Sequence, residues 1–242
     1  MKLPPLTKGT LLKRYKRFLA DIRLDNGQDI TAHCPNTGSM LSCNESGSTV
    51  MVSYHDNPGR KYRYTWELVR VNNKWVGINT MNPNKIVKEA IEQNTIPELL
   101  NYEKIRTEVP YGENSRIDLL LQKNKTLCYV EVKNVTLAQD DIALFPDAVT
   151  ARGTKHLLEL ANMVKSGHRA VMFYLVQRMD AKVFSPAQHI DPKYSQTLKK
   201  VHKAGVEILV YQANISPDEI TIKRSIPFKL EHIINKQPLT IN

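Results

Sequence analysis

The feature that most constrains the fold of this chain is a pair of apolar stretches joined by a short polar link. Residues 116–121 and residues 128–133 are rich in Leu, Ile and Val, and residues 122–126 between them are polar. This pattern is typical of two antiparallel strands in a hairpin. The chain is therefore expected to build a β-sheet around this segment.

The hairpin fixes how two acids and a lysine lie relative to each other. A two-residue turn at Asn124-Lys125 would place Asp118 directly opposite Glu131. Lys133 shares their face, because side chains two apart on a strand point to the same side. Opposed carboxylates repel each other unless a cation lies between them.

A divalent metal ion would remove this repulsion. Mg²⁺ and Mn²⁺ are typically held by one or two carboxylates, with water and substrate phosphate completing the shell. Asp118 and Glu131 are the candidate metal ligands, and Lys133 could orient a water molecule or neutralise charge on a phosphate. The alternative is an exposed hairpin face on which Glu131 and Lys133 form a weak surface pair.

The same three residues resemble the active-site motif of the PD-(D/E)xK nuclease superfamily. There an aspartate precedes a strand that carries an acid and a lysine two residues apart, and these map to Asp118, Glu131 and Lys133. A literal Pro-Asp pair is absent, because Ile117 precedes Asp118. The resemblance implies that all three residues are catalytic.

Longer strings resemble one particular family, the sugar fermentation stimulation protein A family. They are residues 33–40, 115–118, 130–137 and 145–153. The resemblance implies an OB-fold-like N-terminal domain, a PD-(D/E)xK-type C-terminal domain and DNA binding without strong sequence preference. It also implies a regulatory role in sugar use, notably of maltose.

The charge balance agrees with a nucleic-acid partner. The chain has 34 Lys and Arg against 24 Asp and Glu, a net charge of +10, and residues 1–80 hold 12 of the basic and 6 of the acidic residues. Such an excess is expected of a protein that approaches phosphates, and it would also suit an anionic membrane surface.

The sequence shows no recognisable targeting signal, and this together with the cysteine spacing predicts a cytoplasmic protein. The longest apolar run, residues 170–176, is far shorter than the roughly 20 residues of a membrane-spanning helix, and the first residues mix cations with apolar side chains. Cys34, Cys43 and Cys128 are odd in number and lack CxxC spacing, which suits reduced thiols. A zinc site using His33, Cys34 and Cys43 is the alternative.

The chain divides into a β-rich part, residues 1–80, and an α/β part, residues 81–242. The first part has predicted strands in residues 10–24, 29–32, 49–54, 62–71 and 75–78, which fit a small OB-like barrel. The second has predicted strands at 105–109, in the hairpin, at 170–177 and at 206–211, with helices at 154–164 and 192–203. We predict an α/β (α+β overall) fold, in which a nuclease-like mixed sheet flanked by helices follows the barrel.

A further helix is predicted to begin at Pro83, with Asn82 as its cap. Its apolar stripe consists of Ile86, Val87, Ala90 and Ile91. Glu89 lies near the edge of this stripe and is the candidate third metal ligand. A solvated helix-face acid is the alternative for Glu89.

Two segments of the barrel part leave alternatives open. Tyr62, Tyr64 and Trp66 share one face of a predicted strand, where they would pack in the core or, if exposed, stack on bases. Residues 32–39 combine turn formers with small polar side chains. They predict a structured loop that presents N–H groups to a phosphate or simply satisfies the fold.

The candidate DNA contacts are basic residues spread over both parts. Arg152 and Lys155 stand out, because they lie near a helix N-terminus, which favours anions. His156 beside them is interpreted as structural or hydrogen-bonding. The full set is Lys13, Arg14, Lys16, Arg17, Lys61, Arg63, Arg116, Arg152 and Lys155.

Three functions are compatible with these residues. The first is a Mg²⁺- or Mn²⁺-dependent DNA phosphodiesterase, and the second is a DNA-binding module without turnover that could regulate sugar metabolism. The third is a helix-turn-helix factor using residues 195–211, but residues 206–211 read as a strand. DNA binding is common to all three and is the prediction we make.

Overall fold

A computed structural model describes residues 1–231, and its first part is a closed barrel. The barrel strands are β1 (Leu6–Tyr15), β2 (Leu19–Leu24), β3 (Asp29–His33), β4 (Thr49–Tyr54) and β5 (Tyr64–Val71). They pair in the order β3-β2-β1-β4-β5, and a parallel pairing of β3 with β5 closes the ring. A sixth strand, β6 (Lys74–Gly77), pairs antiparallel with the end of β5. The predicted OB-like barrel is confirmed.

One predicted strand is in fact two. Residues 10–24 turn back at Lys16 and Arg17, whose φ angles of 50° and 65° are in the left-handed region. The turn at residues 16–18 contains neither Gly nor Asn, so the sequence carried no common hairpin-turn signal there.

The barrel core settles the open question about the aromatic residues. Trp66 is fully buried among the residues of the barrel core. Tyr64 is partly buried and packs edge-on against Tyr54, with ring centroids 5.2 Å apart. Tyr62 precedes the strand and is also partly buried.

The second part is a mixed sheet with helices on both faces, as predicted. After α1 (Pro83–Glu92) come β7 (Lys104–Tyr111), β8 (Ser115–Lys123), β9 (Thr126–Val135), β10 (Leu137–Gln139), β11 (Ile142–Phe145), α2 (Ala151–Lys165), β12 (Arg169–Val176), β13 (Val183–Pro186), α3 (Pro192–Lys203), β14 (Glu207–Ile215) and β15 (Ile220–Ser225). The large sheet has the order β15-β14-β12-β9-β8-β7, in which β9, β12 and β14 are parallel. Helix α1 packs on one face, and α2 and α3 pack on the other.

The helix predictions agree closely with the structure. Helix α3 has the predicted bounds, and α2 begins at Ala151, three residues before the predicted start. Helix α1 begins after Asn82 as predicted, but the Asn82 side chain makes no cap hydrogen bond. The strand at β14 removes the recognition helix that a helix-turn-helix factor would need.

The two parts meet along a polar seam centred on Arg178, which is 2% exposed. Its guanidinium donates to both carboxylate oxygens of Asp180 at 2.7 Å, to the Thr136 carbonyl at 2.7 Å and to the Ser42 hydroxyl at 3.1 Å. Arg178 therefore ties a barrel loop to the body. The division at residue 80 stays a prediction, and residues 232–242 of the second part lie outside the described residues.

Candidate functional site

The hairpin has the predicted register, and its sheet opens at Asp118. Pairing of β8 with β9 runs from Lys123 opposite Thr126 to Leu119 opposite Val130 and ends one residue before Asp118. On the other side the ladder between β7 and β8 skips Asp118 and Glu108, whose φ of 54° is unusual for a glutamate. Such local breaks in a ladder re-aim side chains and often lie beside functional sites.

The Asp118 carboxylate fills the gap that this break leaves. Its Oδ2 accepts a 2.7 Å hydrogen bond from the backbone N–H of Val132, and its Oδ1 accepts a 2.8 Å bond from the Asn84 amide. Burial, and then the charge of Glu131, raise the pKa of Asp118 to about 6. The carboxylate is therefore held in place by two donors in a setting that disfavours its charge.

Asp118, Glu131 and Lys133 line one cleft of about 350 Å³, as the strand register predicted, and we call it the acidic cleft. Glu131 is 2% exposed, and its Oε1 contacts the Lys133 ammonium at 2.6 Å and also His156 Nδ1. Its Oε2 is buried without a hydrogen-bond partner among the described residues. Burial alone would raise the pKa of Glu131, but His156 and Lys133 outweigh it and lower that pKa.

The carboxylate oxygens of the acidic cleft fit a divalent metal ion for which the protein supplies only some of the ligands. Two carboxylates face the cleft, and the unpartnered Glu131 Oε2 is an oxygen that needs a proton donor or a cation. Within residues 1–231, no group of three or more His, Cys, Asp and Glu residues is placed to hold a metal ion. Water and substrate oxygens would have to supply the remaining ligands, as is usual for Mg²⁺.

The structure does not bring Glu89 to this cleft, so its assignment as third ligand disagrees with the geometry. Its carboxylate lies 2.8 Å from the Met1 amine. Asn84 of the same helix contacts Asp118 instead. Five residues of helix rotate a side chain by about 140°, so Asn84 and Glu89 face different ways. Asn84 continues the apolar stripe at helical spacing, and that was the signal available in the sequence.

His156 is more central than its sequence context indicated. Besides Glu131, its Nδ1 lies 3.3 Å from the Lys133 ammonium, and its Nε2 accepts a 3.4 Å bond from Arg152. The histidine thereby occupies one oxygen of Glu131 and leaves the other oxygen unpaired. Its role as a hydrogen-bonding residue agrees with the prediction.

Three of the predicted DNA contacts converge beside the acidic cleft. Arg116, Arg152 and Lys155 line an open cleft of about 540 Å³ together with His156. Arg152 and His156 also line the acidic cleft, so the two cavities adjoin. This arrangement places cations next to the carboxylates.

The barrel cations fall into two groups. Lys16 and Arg17 are exposed in the turn between β1 and β2, and Lys61 and Arg63 are exposed in the connection between β4 and β5. Lys13 is exposed and lies 3.5 Å from Asp21. These side chains remain accessible to a ligand.

Arg14 is different, because its guanidinium is committed inside the protein. It donates to the backbone carbonyls of Arg17, Asn36, Gly38 and Ser39 at 2.7 to 3.3 Å. Its predicted role as a DNA contact conflicts with this placement, since these donors are already used to shape the loop. The loop at residues 32–39 is structured, as predicted, and Arg14 helps to hold it.

The zinc alternative has no support within residues 1–231. Cys34 Sγ contacts Met40 Sδ at 3.5 Å, and Cys43 Sγ donates to the Thr136 carbonyl at 3.5 Å. Both thiols are buried, and burial raises the pKa of each. All three cysteines of the chain are free.

The raised pKa of Asp118 predicts a stability gain on its neutralisation. The folded-state pKa of Asp118, about 6, exceeds its unfolded value, so ionisation of this carboxyl destabilises the native state. The free energy of unfolding therefore falls as pH rises from about 4 to about 6. We expect Asp118→Asn to raise the free energy of unfolding at pH 8, without metal, by about 1–3 kcal/mol. Urea unfolding in EDTA at pH 4 and pH 8 measures this, and a variant less stable than wild type at pH 8 would contradict it.

Comparison with known proteins gives matches over nearly the whole chain. Residues 12–78 match a family model described as the SfsA N-terminal OB domain, and residues 81–219 match the sugar fermentation stimulation protein RE domain. A sugar fermentation stimulation protein homolog from Pelobacter propionicus is 55% identical over 94% of this chain and 99% of its own length. A homolog from Geotalea daltonii is 55% identical over 93% and 97%.

A solved structure is also similar over most of the chain. The structure of Pyrococcus furiosus SfsA in complex with Ca²⁺ superposes with a TM-score of 0.86 at 27% identity, covering 95% of this chain and 98% of that one.

No helix in residues 1–231 combines the length and apolar character needed to cross a membrane.

Proposed function

The chain belongs to the sugar fermentation stimulation protein family, and from this premise we propose that it binds DNA through the phosphate backbone and hydrolyses phosphodiester bonds with a divalent metal. The observation that carries the catalytic half is the buried, unpartnered Oε2 of Glu131 in the cleft that Asp118 and Lys133 also line. The Ca²⁺ complex of the Pyrococcus furiosus relative supports a divalent-cation site in this family.

The roles of the residues follow from their contacts. Asp118 and Glu131 would hold Mg²⁺ or Mn²⁺, which when bound supplies a Lewis acid for the phosphate and lowers the pKa of a water molecule. Asn84 and the Val132 N–H keep the Asp118 carboxylate oriented. Lys133 lies at the cleft with its ammonium on Glu131 Oε1, from where it can neutralise charge on the attacked phosphate.

DNA binding is supported by cations in both parts of the molecule. Arg116, Arg152 and Lys155 flank the acidic cleft. The barrel loops that carry Lys16, Arg17, Lys61 and Arg63 follow β1 and β4, and in OB-folds the corresponding loops bind oligonucleotides. Backbone contacts of this kind carry no sequence information, which agrees with sequence-tolerant binding.

The proposed binding surface predicts a loss of affinity when the barrel turn is neutralised. We expect the double variant Lys16→Ala, Arg17→Ala to bind unrelated DNA sequences more weakly by a similar factor, and to reduce the slope of log affinity against log salt by about 1–2. Fluorescence anisotropy over a salt series measures both effects.

A matched control removes two positive charges elsewhere. Lys165 and Lys203 are in the last turns of α2 and α3, and Lys165 lies about 20 Å along the helix from Arg152. The double variant Lys165→Ala, Lys203→Ala should leave the slope near the wild-type value. An equal loss in both double variants would show a general charge effect and contradict the assignment to the barrel turn.

A second candidate function is DNA binding without turnover, in a regulatory role in sugar metabolism. It is favoured by the contacts of Glu131, because Lys133 and His156 partly satisfy this carboxylate without any metal. Incubating the protein with single-stranded and double-stranded DNA in Mg²⁺, Mn²⁺ or EDTA separates the two functions. Metal-dependent cleavage supports the nuclease, whereas binding without cleavage in either metal leaves the binding module.

A further inference from the structure

A second cleft adjoins the acidic one at the seam between barrel and body. It has a volume of about 290 Å³, and the barrel loop at residues 36–38 forms one wall. Strands β9 to β11 and Asp147 form the other wall. Thr80 and Asn134 line both this cleft and the acidic cleft, so the two clefts are continuous. A nucleic-acid strand bound at Asp118 would have direct access to the second cleft.

Part of the body side of this cleft is apolar. Leu137, Leu144 and Phe145 line it, and the Phe145 ring is held by Tyr194 and Tyr174 at centroid distances of 5.3 Å and 5.7 Å. A ring held in this way offers a fixed surface to a planar ligand.

Two amide groups give the cleft a defined polarity. Asn36 is 5% exposed, and its Oδ1 accepts a 2.9 Å bond from the Gly38 N–H. The Oδ1 of Asn134 accepts a 2.7 Å bond from Gln177. In both residues the oxygen is used internally, and within residues 1–231 neither NH₂ group has a hydrogen-bond partner. The cleft therefore presents donors to an acceptor such as a carbonyl oxygen.

The barrel wall is preformed rather than loose. The Arg14 guanidinium donates hydrogen bonds to the carbonyls of Asn36, Gly38 and Ser39. The Asp147 carboxylate accepts a 3.1 Å hydrogen bond from the Met40 N–H. A Cβ on Gly38 would lie 2.3 Å from Asp147 Oδ2, so the loop and the body approach each other as closely as backbone allows. A ligand would enter this cleft with little ordering cost.

We propose that this cleft holds one unstacked, carbonyl-bearing nucleobase of the strand whose phosphate lies at Asp118, so that the substrate is single-stranded or locally unpaired nucleic acid. The inference rests on the proposed function, because the acidic cleft sets where the phosphate lies. A base paired inside a duplex cannot enter such a cleft without leaving the stack. Thymine, with its two carbonyl oxygens, fits the two donors, whereas adenine has no carbonyl.

The test compares a thymidine strand with an abasic strand of equal length and charge. Fluorescently labelled 12-nucleotide strands are titrated in EDTA, so that no cleavage occurs. Wild type should bind the thymidine strand about tenfold more tightly, the range expected for one stacked base. Thr37→Trp, at an exposed position lining the cleft, should bind both strands equally. Wild type binding both strands equally would overturn the proposal.

Two further variants make the result specific. Asn134→Asp keeps the acceptor for Gln177 but replaces the NH₂ donor with an oxygen, so it too should lose the thymidine preference. Thr126→Trp, at the exposed hairpin turn, should keep it. A preference that survives in both Thr37→Trp and Asn134→Asp would assign base contacts to another surface and overturn the proposal.

Cleavage assays separate failure of this inference from failure of the proposed function. If wild type with Mn²⁺ cleaves duplex DNA as fast as single strands, the nuclease stands and the base cleft is rejected. If no nucleic acid is cleaved but the thymidine preference depends on Thr37, the catalytic proposal is rejected and the cleft remains a binding site.

Discussion

Asp118→Ala is expected to lower Mn²⁺-dependent cleavage of DNA at least a hundredfold, a range of about 10²–10³ being typical for loss of a preorganised catalytic group. The variant removes one of the two carboxylates that face the cleft and leaves Glu131 without an opposed ligand. DNA binding should stay intact or improve, because a negative charge near the phosphate path is lost. Cleavage is followed on labelled DNA with Mn²⁺, and binding is measured separately in EDTA.

Glu89→Gln is the matched control for this variant. It removes a carboxylate from the same part of the molecule, but this carboxylate pairs with the Met1 amine outside the cleft. Its cleavage rate should stay near that of wild type. Full activity of Asp118→Ala beside an active wild type would reject the site, and loss of activity in Glu89→Gln would restore Glu89 as a ligand.

Arg178→Ala is expected to destabilise the protein by about 3–5 kcal/mol, the range found when one partner of a buried ion pair is removed. The variant removes the buried guanidinium that donates to both oxygens of Asp180, to the Thr136 carbonyl and to the Ser42 hydroxyl. For a protein of this size a loss of this order lowers Tm by about 6–20 °C. Urea and thermal unfolding followed by circular dichroism measure the change.

Lys182→Ala provides the surface comparison for Arg178. Its ammonium pairs with Asp141 at 3.2 Å, and its side chain is 75% exposed, so its loss should change the free energy of unfolding by less than about 0.5 kcal/mol. A loss below about 1 kcal/mol in Arg178→Ala would mean that the seam contributes little to stability.

The parts of the fold that local chemistry determines could be predicted from the sequence. The hairpin register followed from strand alternation around a polar link, and α3 followed from Pro192 at its start and Gly205 after its end. Both signals act over a few residues, so no knowledge of distant contacts was needed.

The errors concern residues whose role depends on distant partners. Arg14 read as an exposed cation, but carbonyls more than 20 positions away in sequence bind its guanidinium. Glu89 was assigned from its place near the edge of the apolar stripe, but its side chain points about 140° away from Asn84, which contacts Asp118 instead. The short strands β10, β11 and β13 were missed because each has only three or four residues and depends on its neighbours for pairing.

If the proposed function holds, the cleft between residues 36–38 and strand β11 makes the barrel a part of the substrate site. A hybrid protein could carry the barrel of a relative on this body. It would keep Asp118 and Glu131, but the loop opposite Phe145 would come from the relative. On the two proposals above, the hybrid would take its base preference from the grafted barrel and its hydrolysis from this body.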